Sequence, residues 1–249
     1  MNHTEDEDVR ALDREAAKDL PAGAHHYTAF VGPPEQYDFM GATQFRLLTT
    51  LGLREHHSLL DFGCGSLRAG RLLIPYLLPG RYYGVEPNRW LVEDGIAHEL
   101  GSAVIDLKRP NFRHDDDFSS HRFGVQFDFI LAQSIFSHAG RDIVAKALSG
   151  FRRCLAQGGL VLSTFIPPEM LGQTAEFATD GWTYPNCVSY RRETVLDFIR
   201  AADLVGRELP WFHPRQRWFA MAHSQYDLPS TADDIHLSGA VLRASDLRG

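Results

Sequence analysis

The chain has 249 residues, with 25 Lys plus Arg against 32 Asp plus Glu and a formal net charge of −7. That length suits one large α/β domain able to bury on the order of 70% of its unfolded surface. The acidic balance argues against general binding to nucleic acid or an anionic membrane, since both need a basic face.

Residues 1–20 are acid-rich with few apolar side chains, which predicts a frayed tail or a solvated helix. From Pro21 the character changes to an aromatic, proline-punctuated segment, followed by a helix over Asp38 to Gly52 with Phe39, Phe45, Leu47, Leu48 and Leu51 apolar. Ser58 to Glu86, SLLDFGCGSLRAGRLLIPYLLPGRYYGVE, organises the rest. Leu59 to Phe62 reads as a buried parallel strand closed by Gly63-Cys64-Gly65, where glycines allow a sharp turn and a close ligand. A helix over Leu67 to Ile74 follows, then a strand over Arg81 to Val85. Glu86 stands 21 residues past Gly65, a spacing that places a carboxylate to accept hydrogen bonds from ribose hydroxyls.

After Glu86 the pattern gives a helix from Pro87-Asn88 to about Leu100 and a short strand over Asn111 to His114. Three consecutive carboxylates and an aromatic come next, Asp115-Asp116-Asp117-Phe118, and only one of the three acids can point into a site. Phe127 to Gln133 is the most hydrophobic strand outside the first, hence a central one. It continues through Ser134 to His138, at the carboxyl edge where ligands bind open α/β sheets. Arg141 to Ala156 reads as a helix, Gly158-Gly159 as a turn, and Leu160 to Phe165 as a fifth strand. Residues 166–190 lack periodicity, and an irregular stretch of that length inside a domain is expected to be functional. A helix over Arg191 to Leu204 leads to a strand pair, Val205 to Trp211 and Arg217 to Ala222, around His213-Pro214-Arg215-Gln216. Residues 226–249 show no strong pattern and read as a tail.

The dinucleotide fingerprint would need a third glycine at position 68, which is Arg68, so a nicotinamide-dependent oxidoreductase is the more distant reading. Asp61 before the turn and Arg68 after it suit a zwitterionic amino-acid end, with Asp61 near the ammonium and Arg68 near the carboxylate. Read so, DFGCGSLRAG with YYGVEPN resembles motif I and the strand-two acidic motif of class I S-adenosylmethionine-dependent methyltransferases. Leu67 departs from the family, many of whose members carry another glycine there, and this predicts a tighter turn or an earlier helix start. FDFILAQSIFSH resembles motif IV of the small-molecule members, and LAQGGLVLSTF their following element. The resemblance runs from about Tyr27 to His223.

It implies a Rossmann-like, seven-stranded, mostly parallel sheet with helices on both faces, the last strand antiparallel, and an N-terminal lid. The expected layout is an acidic tail (1–20), a lid (21–57), a methyltransferase domain (58–225) with a loop insertion (166–190), and a C-terminal tail (226–249). The implied cofactor is S-adenosylmethionine, with S-adenosylhomocysteine as product. Its expected contacts are Tyr27 and Gln44 from the lid, Asp61, Gly63, Cys64, Gly65, Arg68 and Glu86 around the turn, and Gln133 and Ser134 beyond the fourth strand. Asp117, or Asp116 in second place, would receive the adenine amino group beside Phe118. Tyr27 and Tyr37 read equally well as packing residues.

The expected reaction is O- or N-methylation of a small molecule. Tyr37, Trp182, Tyr184, Tyr190, Arg191, Arg192 and His213 are the candidate acceptor contacts, and His138 the candidate base, weighed against a structural histidine. Arg191, Arg192 and Arg215 could receive an acidic group or stand as solvated charges. A protein methyltransferase and a non-methylating S-adenosylmethionine-binding protein remain alternatives. The twelve histidines form no metal-ligand spacing, so no metal is expected. Three widely spaced cysteines, no apolar run near ~20 residues and no signal peptide predict a cytoplasmic protein without a membrane or nucleic-acid partner. The oligomeric state stays open, with a homodimer among the options.

Overall fold

The computed structural model describes residues 3–118 and 120–238; the last part of the expected C-terminal tail, 239–249, lies outside the described residues. In chain order the elements are α1 (His3–Arg10), α2 (Tyr37–Thr50), β1 (Leu59–Phe62), α3 (Gly70–Tyr76), β2 (Tyr82–Val85), α4 (Arg89–Gly95), α5 (Ser102–Lys108), β3 (Asn111–Arg113), β4 (Phe127–Ala132), α6 (Arg141–Cys154), β5 (Leu155–Phe165), α7 (Arg192–Ala201), β6 (Val205–Leu209), β7 (Arg217–Ala222) and α8 (Asp234–Ser238).

The strands form a seven-stranded sheet in the order β3-β2-β1-β4-β5-β7-β6. The β1–β4, β2–β3 and β4–β5 pairs are parallel, whereas β7 runs antiparallel to both β5 and β6. This is the expected Rossmann-like sheet. Its order reverses at β1 and β4, and open α/β sheets bind ligands beyond the carboxyl ends of the strands at such a reversal. The chain forms two compact units, one of residues 3–49, 54–56 and 63–115, the other of residues 50–53, 57–62 and 116–238.

In the first unit α2 buries Tyr37, Met40, Gly41, Gln44, Leu47 and Leu48, the spacing of one helical face. The acid-rich N-terminus is more engaged than a solvated helix would be. Arg10 forks onto Asp94 at 2.6 and 2.8 Å, Arg14 pairs with Asp38 and Glu99, and Ala17 is fully buried. The expected helix after Glu86 is α4 ending in a π-turn over Ile96–Leu100, and α5 then forms where the sequence pattern gave no helix.

In the second unit the core gathers on β4, β5 and β7, with Phe127, Ile130, Leu131, Val161, Leu162, Phe165, Trp218 and Phe219 all buried. β5 begins at Leu155, ahead of the glycine pair that reads as a turn, and a register shift against β4 between Phe127 and Phe129 absorbs the extra residues as a bulge. The helix α6 buries Val144, Ala147, Leu148, Phe151 and Cys154 along one stripe. Residues 225–238 hold two 3-10 turns and α8 and bury Leu228 and Leu237, although their sequence announces no element.

Candidate active site

The glycine turn of the first unit is clamped from several sides. Gly63 and Cys64 both donate to the Val85 carbonyl, at 2.8 and 3.0 Å, which anchors the turn to the end of β2. Gly65 has φ +53°, and a Cβ on it would stand 2.6 Å from Val31 Cγ1 of the N-terminal segment. Only glycine satisfies both the left-handed backbone and the close neighbour. Two helices press on the next residues. A Cβ at Gly41 of α2 would lie 2.4 Å from the Arg68 carbonyl oxygen, and one at Gly95 of α4 would lie 2.3 Å from that of Ser66. Neither glycine is announced by a motif; a glycine in mid-helix, costly for the helix itself, was the available signal.

Leu67 corrects an expectation. It adopts φ +61° while fully buried, so it takes the backbone conformation of the glycine that the family pattern carries there. The turn is longer, not tighter, and α3 starts later, at Gly70. The apolar side chain, buried in the core, offsets a backbone cost of roughly 1–2 kcal/mol.

Glu86 closes the turn. Its Oε2 accepts the Gly65 N–H at 3.1 Å, and its Oε1 accepts both the backbone and the side-chain N–H of Asn88 at 2.9 Å. A carboxylate offers about four lone-pair positions, so three are used and one remains on Oε2. Glu86 is only 7% exposed, and burial pushes its carboxyl above the usual range against the opposing hydrogen bonds from Asn88 and Gly65.

The lid residues divide. Tyr37, expected at the acceptor, is fully buried and donates its hydroxyl to the Ser66 carbonyl at 2.9 Å, bracing the turn from behind. Tyr27 is likewise buried, stacks on His98 and donates to Glu99 at 3.0 Å. Gln44, on the same face of α2 as Tyr37 and Gly41, keeps Oε1 buried with no hydrogen-bond partner. A buried acceptor without a donor is costly, and a bound ligand is one way to satisfy it. Arg68 commits Nη1 to the Val31 carbonyl at 2.8 Å. Cys64 is buried, and its Sγ is 2.9 Å from where a Gly84 Cβ would stand.

In the second unit Asp61 is buried on β1, in register with Leu131 of β4. In the acidic triplet, Asp115, in the first unit, pairs with Arg113, and Asp117, in the second, with Arg122. Asp116 has no hydrogen-bonded or ionic partner among the described residues. Phe118 packs between Phe62 (6.0 Å between ring centroids) and Trp182 (5.7 Å).

The end of β4 carries a polar cluster. Ser134 has φ +62°, donates its N–H to Thr164 Oγ1 at 2.8 Å, and accepts from the Gln216 amide at 2.8 Å. His213 Nδ1 accepts the backbone N–H groups of Arg215 (3.1 Å) and Gln216 (3.0 Å), so a neutral ring carries its proton on Nε2. That nitrogen lies 3.2 Å from Gln133 Nε2, a second donor, so the two bond only with the Gln133 amide turned to present its otherwise unpartnered oxygen. Oriented this way, His213 holds the β6–β7 turn and has no free nitrogen with which to act as a base.

His138 is arranged in the opposite sense. Its Nδ1–H donates to the Asn186 carbonyl at 2.7 Å, which leaves Nε2 as the acceptor, and no described residue bonds it. Trp182 and Tyr184 lie 5.8 and 5.0 Å from the imidazole, centroid to centroid. Burial, helped by the positive charge of Arg215, holds the ring below the usual histidine range against the Asn186 hydrogen bond. The loop is stitched to this region: Thr183 and Val188 donate to the His138 and Ser137 carbonyls at 2.8 Å, and Gly140 to that of Gly181 at 2.7 Å.

The remaining acceptor candidates separate by partner. Tyr190 is buried and donates to the Ala139 carbonyl at 2.7 Å, so it supports the loop from inside. Arg191 donates to the Thr174 carbonyl at 3.2 Å, and Arg192 pairs with Glu208 at 3.3 Å at the start of α7. Trp182 remains 48% exposed.

A doubly wound sheet with a glycine turn and an acidic residue ending β2 defines a nucleoside-binding α/β protein. Residues 60–161 match the family model described as the methyltransferase domain. Over those residues the chain is similar to the methyltransferase domain, the family that the glycine turn and YYGVEPN resemble. Its fold is shared with magnesium protoporphyrin IX methyltransferase from Synechocystis with bound S-adenosylhomocysteine (12% identity, TM-score 0.57, 77% of this chain and 84% of that one). It is shared too with an S-adenosylmethionine-dependent methyltransferase from Clostridium acetobutylicum (14% identity, TM-score 0.58, 74% and 92%). A sugar N-methyltransferase from Streptoalloteichus matches at 17% identity and TM-score 0.55, over 76% and 89%. Among the described residues no helix is long and apolar enough to cross a membrane.

Proposed function

We propose that the protein transfers the methyl group of S-adenosylmethionine to an oxygen or nitrogen of a small-molecule acceptor and releases S-adenosylhomocysteine. The observation that carries this reading is the turn itself: a buried Glu86 bound to the Gly65 N–H, with one lone pair still open. Gln44 supports it as a buried acceptor awaiting a donor. The bound cofactor supplies a methyl already activated on a sulfonium centre, so the chain has mainly to position and desolvate. Positioning alone can lower such a barrier by ~7–11 kcal/mol.

In this reading Gly63, Cys64 and Gly65 form the backbone cradle, and Glu86 accepts one ribose hydroxyl through Oε2. Asp61 and Arg68 keep the amino-acid end, Asp116 takes precedence over Asp117 for the adenine amino group, and Phe118, Gln133 and Ser134 keep the cofactor roles that the resemblance implies. Tyr27 and Tyr37 become supports of the lid and the turn. His138 Nε2 is the base, or the orienting acceptor where the nucleophile is already neutral. The named activities of the porphyrin and sugar methyltransferases of this fold favour an acceptor of small-molecule size.

Two measurements test the reading. S-adenosylhomocysteine should raise the melting temperature and NAD should not. Glu86→Ala should weaken S-adenosylhomocysteine roughly ten- to hundredfold by calorimetry, the worth of a hydrogen bond to a charged group. Unchanged affinity in a folded variant would remove Glu86 from the cofactor.

A further inference from the structure

We infer that the acceptor is an aryl compound bearing an anionic group, held by Arg215 at a cavity of the 173–187 loop. The inference rests on the methyl-transfer reading and adds the substrate class to it. The cavity has a volume of about 360 Å³ and is lined by Gln173, Phe177, Thr179, Thr183, Asn186 and Cys187. That is within the usual size of a small-molecule site, about 300–1,000 Å³. In a chain of net charge −7 its lining contains no carboxylate. Hydroxyls, amides and one ring make up most of the wall, a composition that tolerates an anion and repels none.

Arg215 supplies the charge. Its guanidinium touches Cys187 of the cavity wall, with Nη2 3.9 Å from Sγ, and no carboxylate among the described residues pairs with it. The other two arginines considered for this role are used elsewhere, Arg191 on the Thr174 carbonyl and Arg192 on Glu208. Arg215 is also presented by a fixed turn, since its own N–H and that of Gln216 are bonded to His213 Nδ1. An exposed arginine on a preorganised turn, free of acids, suits bidentate capture of a carboxylate or phosphate.

The aryl part follows from the rings. Phe177 is 50% exposed in the cavity wall and Trp182 48% exposed beside His138. The half-exposed Phe177 ring offers the cavity a face on which a flat aryl group can stack. The candidate base shares a residue with the cavity, because the Asn186 carbonyl that holds His138 Nδ1–H belongs to a lining residue. Cys187, which Arg215 touches, and Asn186, which holds His138, are thus adjacent residues of the cavity wall.

The test uses the full chain and the three hydroxybenzoate isomers against the three corresponding hydroxybenzamides, titrated by calorimetry with and without S-adenosylhomocysteine. At least one hydroxybenzoate should bind, with its amide roughly ten- to hundredfold weaker, the worth of a charged hydrogen bond. Arg215→Ala should erase the acid–amide difference, Arg215→Lys should keep part of it, and Phe177→Ala should weaken acid and amide alike. Equal binding of acid and amide, an unchanged preference in Arg215→Ala, or no binding by any isomer would overturn the inference. Failure of S-adenosylhomocysteine to bind the wild-type chain would instead sink the cofactor reading, because the acid–amide comparison is also read without it.

Discussion

The glycine turn and the 166–190 loop are built to opposite standards. The turn is held from several sides: Tyr37 holds Ser66, Gly41 and Gly95 admit two helices onto its backbone, and Glu86 fastens Gly65. The loop is stitched through its backbone, yet leaves Trp182 and Phe177 half exposed, and beside it no described residue bonds Nε2 of His138. A shared cofactor can be met by one rigid cradle, whereas an acceptor has to be met by side chains that differ between enzymes. The difference teaches where each kind of substitution should act: on fold and cofactor affinity in the turn, on turnover and selectivity in the loop.

The largest effect should come from His138. With Nδ1–H fixed on Asn186 and the ring neutral, His138→Ala should lower kcat by about two to four decades for a hydroxyl acceptor, with S-adenosylhomocysteine affinity unchanged. A fall confined to KM would make it an orienting residue; no change in either constant would leave a packed histidine. Its pH behaviour has a definite sign. Because burial and Arg215 disfavour the imidazolium, the folded group protonates below the unfolded value of about 6.5. The neutral base, and the stability it contributes, are present above that value and lost as pH falls through the folded pKa. The acid limb of kcat/KM should therefore lie below an ordinary histidine's, and Arg215→Ala should move it upward. A limb that stayed in place would separate Arg215 from the base.

Next in size is Gly95. A methyl there would meet Ser66 backbone atoms at 2.3 and 2.7 Å, which no side-chain rotation relieves. Gly95→Ala should cost about 1–3 kcal/mol by overpacking, a drop of roughly 2–4 °C for each kcal/mol, together with weaker S-adenosylhomocysteine binding. Phe177→Ala should leave both within error, since exposed substitutions usually shift stability by less than ~0.5 kcal/mol. If the two variants behaved alike, the contrast between turn and loop would be wrong.

How far the sequence was legible follows the same division. The strand, turn, helix and acid from Ser58 to Glu86 are neighbours along the chain, so local rules found them, and the family resemblance they carry implied the sheet. Leu67 misled because its backbone is set by packing rather than by propensity, and a fully buried leucine can hold a left-handed φ that its type disfavours. Tyr37 and Tyr190 were read as acceptor contacts because an aromatic in an irregular segment looks the same whether it faces in or out. Only the bonds to Ser66 and Ala139 distinguish the two cases. Gly41, Gly95 and the His138–Asn186 contact depend on residues 27, 29 and 48 positions away, beyond any periodic pattern.

A further test concerns the N-terminal segment, which the charge pattern describes as a solvated tail. Arg10 binds Asp94 through two nitrogens and lies 5.3 Å from the Trp90 ring, which in turn stacks on His25 at 4.3 Å. A partly exposed ion pair is worth ~1 kcal/mol at most and an exposed cation–π contact about 0.5–1 kcal/mol. Arg10→Ala should therefore lower the melting temperature by only a few degrees. Arg10→Lys should recover less than half of that, because an ammonium cannot fork onto the carboxylate. Removing residues 1–20 should cost more than either, since Arg14 on Glu99, the buried Ala17 and the Leu12 carbonyl that meets His26 Nε2 go with them. Cofactor affinity should change less than stability, because Val31 and Tyr37, which touch the turn, remain. A truncated chain that melted with the full-length one would return the segment to the solvated tail that its charges describe.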